Sequence, residues 1–206
     1  MKEQFEHSPW CENVIIADAD YADRVVFNLT VNFERMLERR IPKADLSTWL
    51  VCAALDGGMS SPGVTQVVLL HDRQKTRLDN FLPSDYEDEI NGQAFRDERL
   101  GEFQFATVPV EDSMVAREEL FLDIVGTVLS QTEVKRVIIV PNAEDGTLYD
   151  DLRETLRRHD QQNAGTPKQI TILTMEPCAG GRFQQDLLGY SLMAALGIRG
   201  EEFTTK

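Results

Sequence analysis

Cysteine is scarce in this chain, and the three that occur form no recognisable framework. Cys11, Cys52 and Cys178 are odd in number and far apart, with no CxxC pair. A disulfide-stapled scaffold and a zinc-ribbon or thioredoxin-type motif are therefore excluded. Cys52 lies inside an apolar run and is expected to be a small core residue. Histidine is as sparse: of His7, His71 and His159, only His71 stands at the end of an apolar run. Nothing in the sequence places it beside Cys178, so a Cys–His nucleophile has no support. A GxSxG elbow, a GxxxxGK phosphate loop and a GxGxxG fingerprint are all missing, although Gly57-Gly58 and Gly180-Gly181 form pairs. No apolar stretch approaches the roughly 18 residues of a membrane span. Met1 to Pro9 carry no apolar segment behind Lys2, so a cytoplasmic location is expected.

Positive charge is the other shortage. There are 35 acidic residues against 21 Lys and Arg, a net charge of −14. Such a chain repels phosphate backbones and anionic lipid unless its cations are gathered in one place. The best clusters, Arg153, Arg157, Arg158 and His159, and Arg39 with Arg40, fall late in expected helices. Cations there complement the negative end of the helix dipole. Nucleic acid and membranes are accordingly disfavoured as partners.

What is present is an alternation of apolar runs and amphipathic stretches. The 206 residues and 42% hydrophobic content suit a single domain spanning 1–206. Strands are expected at 14–17, 49–55, 67–70, 103–110, 137–140 and 170–173, each an apolar run closed by turn residues. Helices are expected over 20–40, with Val26, Leu29, Phe33, Met36 and Leu37 on one face, over 112–131, over 147–159 on Leu148, Leu152 and Leu156, and from about 182 to 196. The pattern predicts an α/β fold: a three-layer, Rossmann-like sandwich on a mostly parallel, mixed sheet of about five or six strands. The link 56–63 is too short for a crossover helix, so the strand at 49–55 is expected to pair antiparallel with the next or to lie outside the main sheet. Residues 72–102 read as a charged insertion at one edge.

Ligands of open α/β sheets sit beyond the carboxyl ends of the strands. That position selects Asp18 and Asp20 after the first strand, and Asn142, Glu144 and Asp145 after the strand at 137–140. Glu119 and Asp123 lie one turn apart on the preceding helix. If these carboxylates converge, a hard cation such as Mg²⁺ would relieve their repulsion and activate water. The same residues have a plainer reading: Asp18 or Asp20 as a helix N-cap, Asp145-Gly146-Thr147 as a turn and cap, Glu118 and Glu119 as a solvated face.

An apolar strand ending in Asp18, acidic residues on a helix just ahead of the strand at Val137, and the turn Pro141-Asn-Ala-Glu-Asp-Gly-Thr-Leu-Tyr-Asp-Asp151 together resemble the PIN-like nucleases, particularly their NYN branch. The resemblance is one of order and spacing over about a third of the chain, and the Ser-Gly-Asp stretch of that family is absent. It implies a Mg²⁺- or Mn²⁺-dependent ribonuclease with Asp18, Asp123 and Asp145 as ligands, or a non-catalytic relative serving as a protein-interaction module.

Two features stand apart. Cys178-Ala-Gly-Gly-Arg182 is expected to follow a strand and open a helix, where backbone amides and Arg182 would hold a small anion; the plainer reading is a glycine turn capping that helix. Leu187 to Leu196 has more apolar positions than one helix face needs. Burial against the sheet is the favoured reading, and a homodimer interface the alternative.

Overall fold

A computed structural model describes residues 10–111, 114–162 and 167–203, without the side chains of 114–116 and 162. In chain order the elements are β1 (Asn13–Asp18), α1 (Ala19–Leu37), β2 (Ala44–Asp45), α2 (Leu46–Asp56), β3 (Gly63–Asp72), β4 (Phe81–Leu82), β5 (Ala94–Asp97), β6 (Gly101–Val110), α3 (Met114–Ser130), β7 (Arg136–Val140), α4 (Leu148–Gln162), β8 (Gln169–Thr174), β9 (Gln184–Leu187) and α5 (Leu188–Ala195). Seven strands form one sheet in the order β5-β6-β3-β1-β7-β8-β9, and β2 pairs with β4 beside it. Every neighbouring pair of the large sheet is parallel except β5 with β6.

Side-chain alternation along the strands builds two cores. Ile15 and Ala17 of β1, with Val67, Leu69, Ile138 and Leu173, face α1, α2 and α5. Val14 and Ile16, with Val68, Leu70, Val137, Ile139 and Ile172, face α3 and α4. The central strands are buried on both sides, which is why they read as unbroken apolar runs. The expected three-layer α/β sandwich with a mostly parallel, mixed sheet is the observed architecture. Among the described residues no helix is long and apolar enough to cross a membrane.

One expected strand is a helix. Residues 49–55 lie in α2, whose buried residues Leu46, Trp49, Leu50, Ala53 and Ala54 recur at helical spacing. That stripe is masked in the sequence because the intervening Val51, Cys52 and Leu55 are apolar too. Asp45 caps the helix, accepting from Thr48 N at 2.6 Å. With α2 as part of the connection, β1 and β3 pair in parallel, and the expected antiparallel partner does not exist. Cys52 is half-buried rather than in the core.

Smaller corrections follow from packing. Met36 is 53% exposed, while Val26, Leu29, Phe33 and Leu37 do face the core. The helix expected from 182 begins at Leu188, because Gln184–Leu187 pair with β8 as an edge strand. Within that helix Leu188 and Leu192 are buried and Tyr190 is exposed. Residues 73–100 join two parallel strands without an α-helix, through β4, a π-helical turn at Tyr86–Ile90 and β5. The excursion is anchored by buried Leu78, Phe81, Tyr86, Ile90 and Leu100.

Candidate functional site

The chain runs from β1 outward to β3 and β6, then crosses back to β7 on the other flank of β1. The strand order therefore reverses between β1 and β7, the place where open α/β sheets leave a crevice. An open cleft of about 670 Å³ lies there, and its lining includes Asp18, Asp20, Arg24, Lys75, Arg117 and Asn142.

Asp18 ends β1 and caps α1, its Oδ1 accepting from Tyr21 N at 2.9 Å. It is 2% exposed, and burial raises its pKa against the pull of the Tyr21 N–H and Arg117. Asp20 sits one residue inside the helix and turns to β3, where Oδ2 accepts from Asp72 N at 2.7 Å. Arg117 Nη1 reaches that same oxygen at 2.7 Å and Asp18 Oδ1 at 3.4 Å. Lys75 Nζ lies 3.2 Å from Asp20 Oδ1. Burial works to raise the Asp20 pKa, but the Asp72 N–H, Arg117 and Lys75 outweigh it and hold the carboxyl below its usual value. Burial works to lower the Arg117 pKa, but Asp18, Asp20 and Asp72 outweigh it and hold the guanidinium above its usual value.

The second rim is built from α1 and the β7–α4 loop. Arg24 Nη2 meets Asp145 Oδ2 at 2.9 Å, and Asn142 Nδ2 donates to that oxygen at 3.2 Å. Hydrogen bonds from Asn142 and Arg24 lower the Asp145 pKa. Tyr21 OH donates to Glu144 Oε1 at 3.0 Å, and burial together with that carboxylate raises the Tyr21 pKa. On the 73–100 side, Asp23 is 7% exposed and accepts from Asn80 N at 2.8 Å and Nδ2 at 3.0 Å.

At the end of β3, the His71 ring stacks on Tyr86 with centroids 3.7 Å apart. Burial lowers the His71 pKa, favouring the neutral ring. The Tyr86 hydroxyl is buried without a hydrogen-bond partner among the described residues. Burial is the largest influence raising its pKa, followed by the charges of Asp20, Asp23 and Asp18.

The residues singled out by sequence thus divide. Asp18, Asp20, Asn142 and Asp145 line one cleft, and Glu144 stands at its rim bonded to Tyr21. Glu119 and Asp123 are exposed on α3 and do not join that lining. Arg182 lies elsewhere, in a groove of about 560 Å³ beside α4, 2.7 Å from Asp160 Oδ2. The Gly180-Gly181 loop leads into β9 rather than a helix, so it presents no helix N-terminus to an anion. Its carbonyls instead accept from the protein: Ala179 O from Tyr149 OH at 2.8 Å, and Gly180 O from Arg153 Nη2 at 3.0 Å.

Arg117, Lys75, Asp23 and Tyr86 went unread in the sequence. Arg117 had one local signal: it falls in the first turn of α3, where a cation opposes the helix dipole. A locally disfavoured residue of that kind points to compensation elsewhere in the fold.

These carboxylates do not fit a divalent cation as they are arranged. Both oxygens of Asp20 are engaged by Lys75, Arg117 and a backbone amide, and a guanidinium occupies the position facing Asp18 and Asp20. Among the described residues, no group of three or more His, Cys, Asp or Glu side chains could hold a metal ion.

No curated protein and no solved structure matches the chain. Residues 7–203 match a family of unknown function, DUF6621, and the chain belongs to that family.

Proposed function

We propose that this protein is a non-catalytic recognition module, a relative of the PIN-like nucleases in which an arginine has taken the place of the metal. One observation carries the reading: Arg117 Nη1 stands 2.7 Å from Asp20 and 3.4 Å from Asp18, a built-in counter-ion for the carboxylates that a nuclease would turn on a cation. A divalent ion entering there would have to displace a guanidinium already paired and partly desolvated, at the cost of leaving it uncompensated. Asp18 has structural work besides, as the cap of α1. The cleft's remaining function is to recognise a polar group through side chains that are already positioned. The unpaired thiols of Cys11, Cys52 and Cys178 support placing the protein in the reducing cytoplasm.

The test is thermal unfolding of the natural protein and of Asp18→Asn with and without Mn²⁺ and Mg²⁺. Ligands specific to the folded state raise the melting temperature by mass action. The expected result is no metal-dependent rise in either protein, and no metal-dependent cleavage of single-stranded RNA. A rise in the natural protein that Asp18→Asn abolishes would overturn the proposal and restore the nuclease.

A further inference from the structure

The cleft and the ridge of α1 beside it carry a more specific inference, which rests on the non-catalytic reading above. We infer that they dock a basic segment of a partner protein, one arginine side chain entering the cleft and an apolar neighbour lying across Phe27 and Val31.

The cleft already shows which groups it takes. Its carboxylates hold guanidinium and ammonium groups of the chain itself: Arg117 on Asp18 and Asp20, Lys75 on Asp20, Arg24 on Asp145. The lining contains five aspartates, Asp18, Asp20, Asp23, Asp79 and Asp145, against the three cations Arg24, Lys75 and Arg117. Among the described residues the ion pairs of these cations go to Asp18, Asp20, Asp145 and Glu144, and none goes to Asp23 or Asp79. Asp79 adds its repulsion to Asp23 across a partly buried space. The cleft lining therefore carries two more carboxylates than cations.

A buried polar atom adjoins the same aspartates. Tyr86 is 1% exposed, its hydroxyl has no hydrogen-bond partner among the described residues, and after burial the charges of Asp20, Asp23 and Asp18 act on it most strongly. A buried polar atom left unpaired carries the cost of its lost hydration, so such atoms are uncommon. A guanidinium suits this cleft because it carries five N–H donors and no acceptor, enough to bond more than one carboxylate together.

The rim supplies the apolar half. Phe27 is 53% exposed and lines the cleft, and Val31, one turn further along α1, is 50% exposed. Single exposed apolar residues need no explanation. These two are contiguous with an acidic cleft, and an aromatic face beside carboxylates favours a cationic side chain through its quadrupole. The net charge of −14 steers a basic partner toward the protein, and it repels nucleic acid and a second copy of the chain.

The experiment uses a fluorescein-labelled peptide of alternating arginine and leucine, with versions carrying glutamine for arginine or serine for leucine, read by anisotropy against the full chain. Phe27→Ala and Asp79→Asn are each expected to weaken binding about tenfold, as loss of a contact in the centre of an interface does. Glu98→Gln makes the same charge change in the β5–β6 turn, at the opposite end of the sheet, and should weaken binding less than about twofold, as a screened distant charge does. Both control peptides should bind more weakly than the parent. Equal weakening by Asp79→Asn and Glu98→Gln, or no effect of Phe27→Ala, would reduce the attraction to general charge and sink the inference. Tighter binding of single-stranded RNA than of the peptide would do the same. Failure here with no metal response in the unfolding test removes this inference alone, whereas a metal response lost in Asp18→Asn removes the reading beneath it.

Discussion

Arg117 and Asp20 meet at 2.7 Å, Nη1 to Oδ2, across an interval of 97 residues, and the same guanidinium nitrogen lies 3.4 Å from Asp18. Side-chain exposures of 20%, 13% and 3% put all three largely out of water. The contact ties the start of α3 to the junction of β1 and α1, and so joins the helical layers on the two sides of the sheet.

Removing one partner of a buried pair leaves an uncompensated charge. Arg117→Met is expected to lower stability by about 2–4 kcal/mol, measured as a shift in the urea midpoint. Adding Asp18→Asn to that variant should recover part of the loss, since one of the stranded carboxylates is then neutral. Additive losses in the double variant would refute a coupled site.

Acid should act on the two aspartates in opposite senses. The Asp20 pKa is held below its ordinary 3.8, so its contribution is present above that value and is lost as pH falls through it and below. The Asp18 pKa is raised, so Asp18 takes up its proton first and its protonation relieves a cost of burial. Asp20→Asn should therefore flatten the acid limb of stability against pH, and Asp18→Asn should steepen it. Urea unfolding of both variants from neutral to acid pH checks the signs, and parallel curves would contradict them.

The amino end of the sheet offers a test of fold rather than site. Gly101 has φ +88° and is paired with Gly63 in register; a Cβ there would stand 2.2 Å from Gly63 O, a backbone atom that cannot swing aside. Gly92 has φ +71° but open space around it. Gly92→Ala should cost about 1 kcal/mol from the left-handed backbone alone. Gly101→Ala should cost about 3 kcal/mol or more, because overpacking adds to the same strain. Thermal melts of the two variants side by side would expose the difference, and equal losses would place Gly101 in looser surroundings than described.

The resemblance of the chain's acidic order to a nuclease rested on residues that were individually well placed. Asp18 and Asp20 do end β1 and open α1, and Asn142 and Asp145 do follow β7, because a strand run closed by polar residues is a local property. Asp123 precedes β7 in the chain and lies one turn from Glu119, but spacing along a helix does not say which way its face turns. In α2 the local signal itself failed. An apolar filler between the buried positions Leu46, Trp49, Leu50, Ala53 and Ala54 erased the period, and only burial against α5 separates helix from strand.

By itself the sequence determined the fold class, the burial of the central strands on both faces and the aspartate cap of α1, since each depends on residues within a few positions of one another. The partners of the carboxylates were decided by tertiary structure alone. Arg117 lies 97 residues from Asp20, Lys75 lies on a connection with no helical period, and Asn142 meets Arg24 over 118 residues. Charge pairing depends on distance in space and on exclusion of water, and neither is a property of the chain until the sheet has closed.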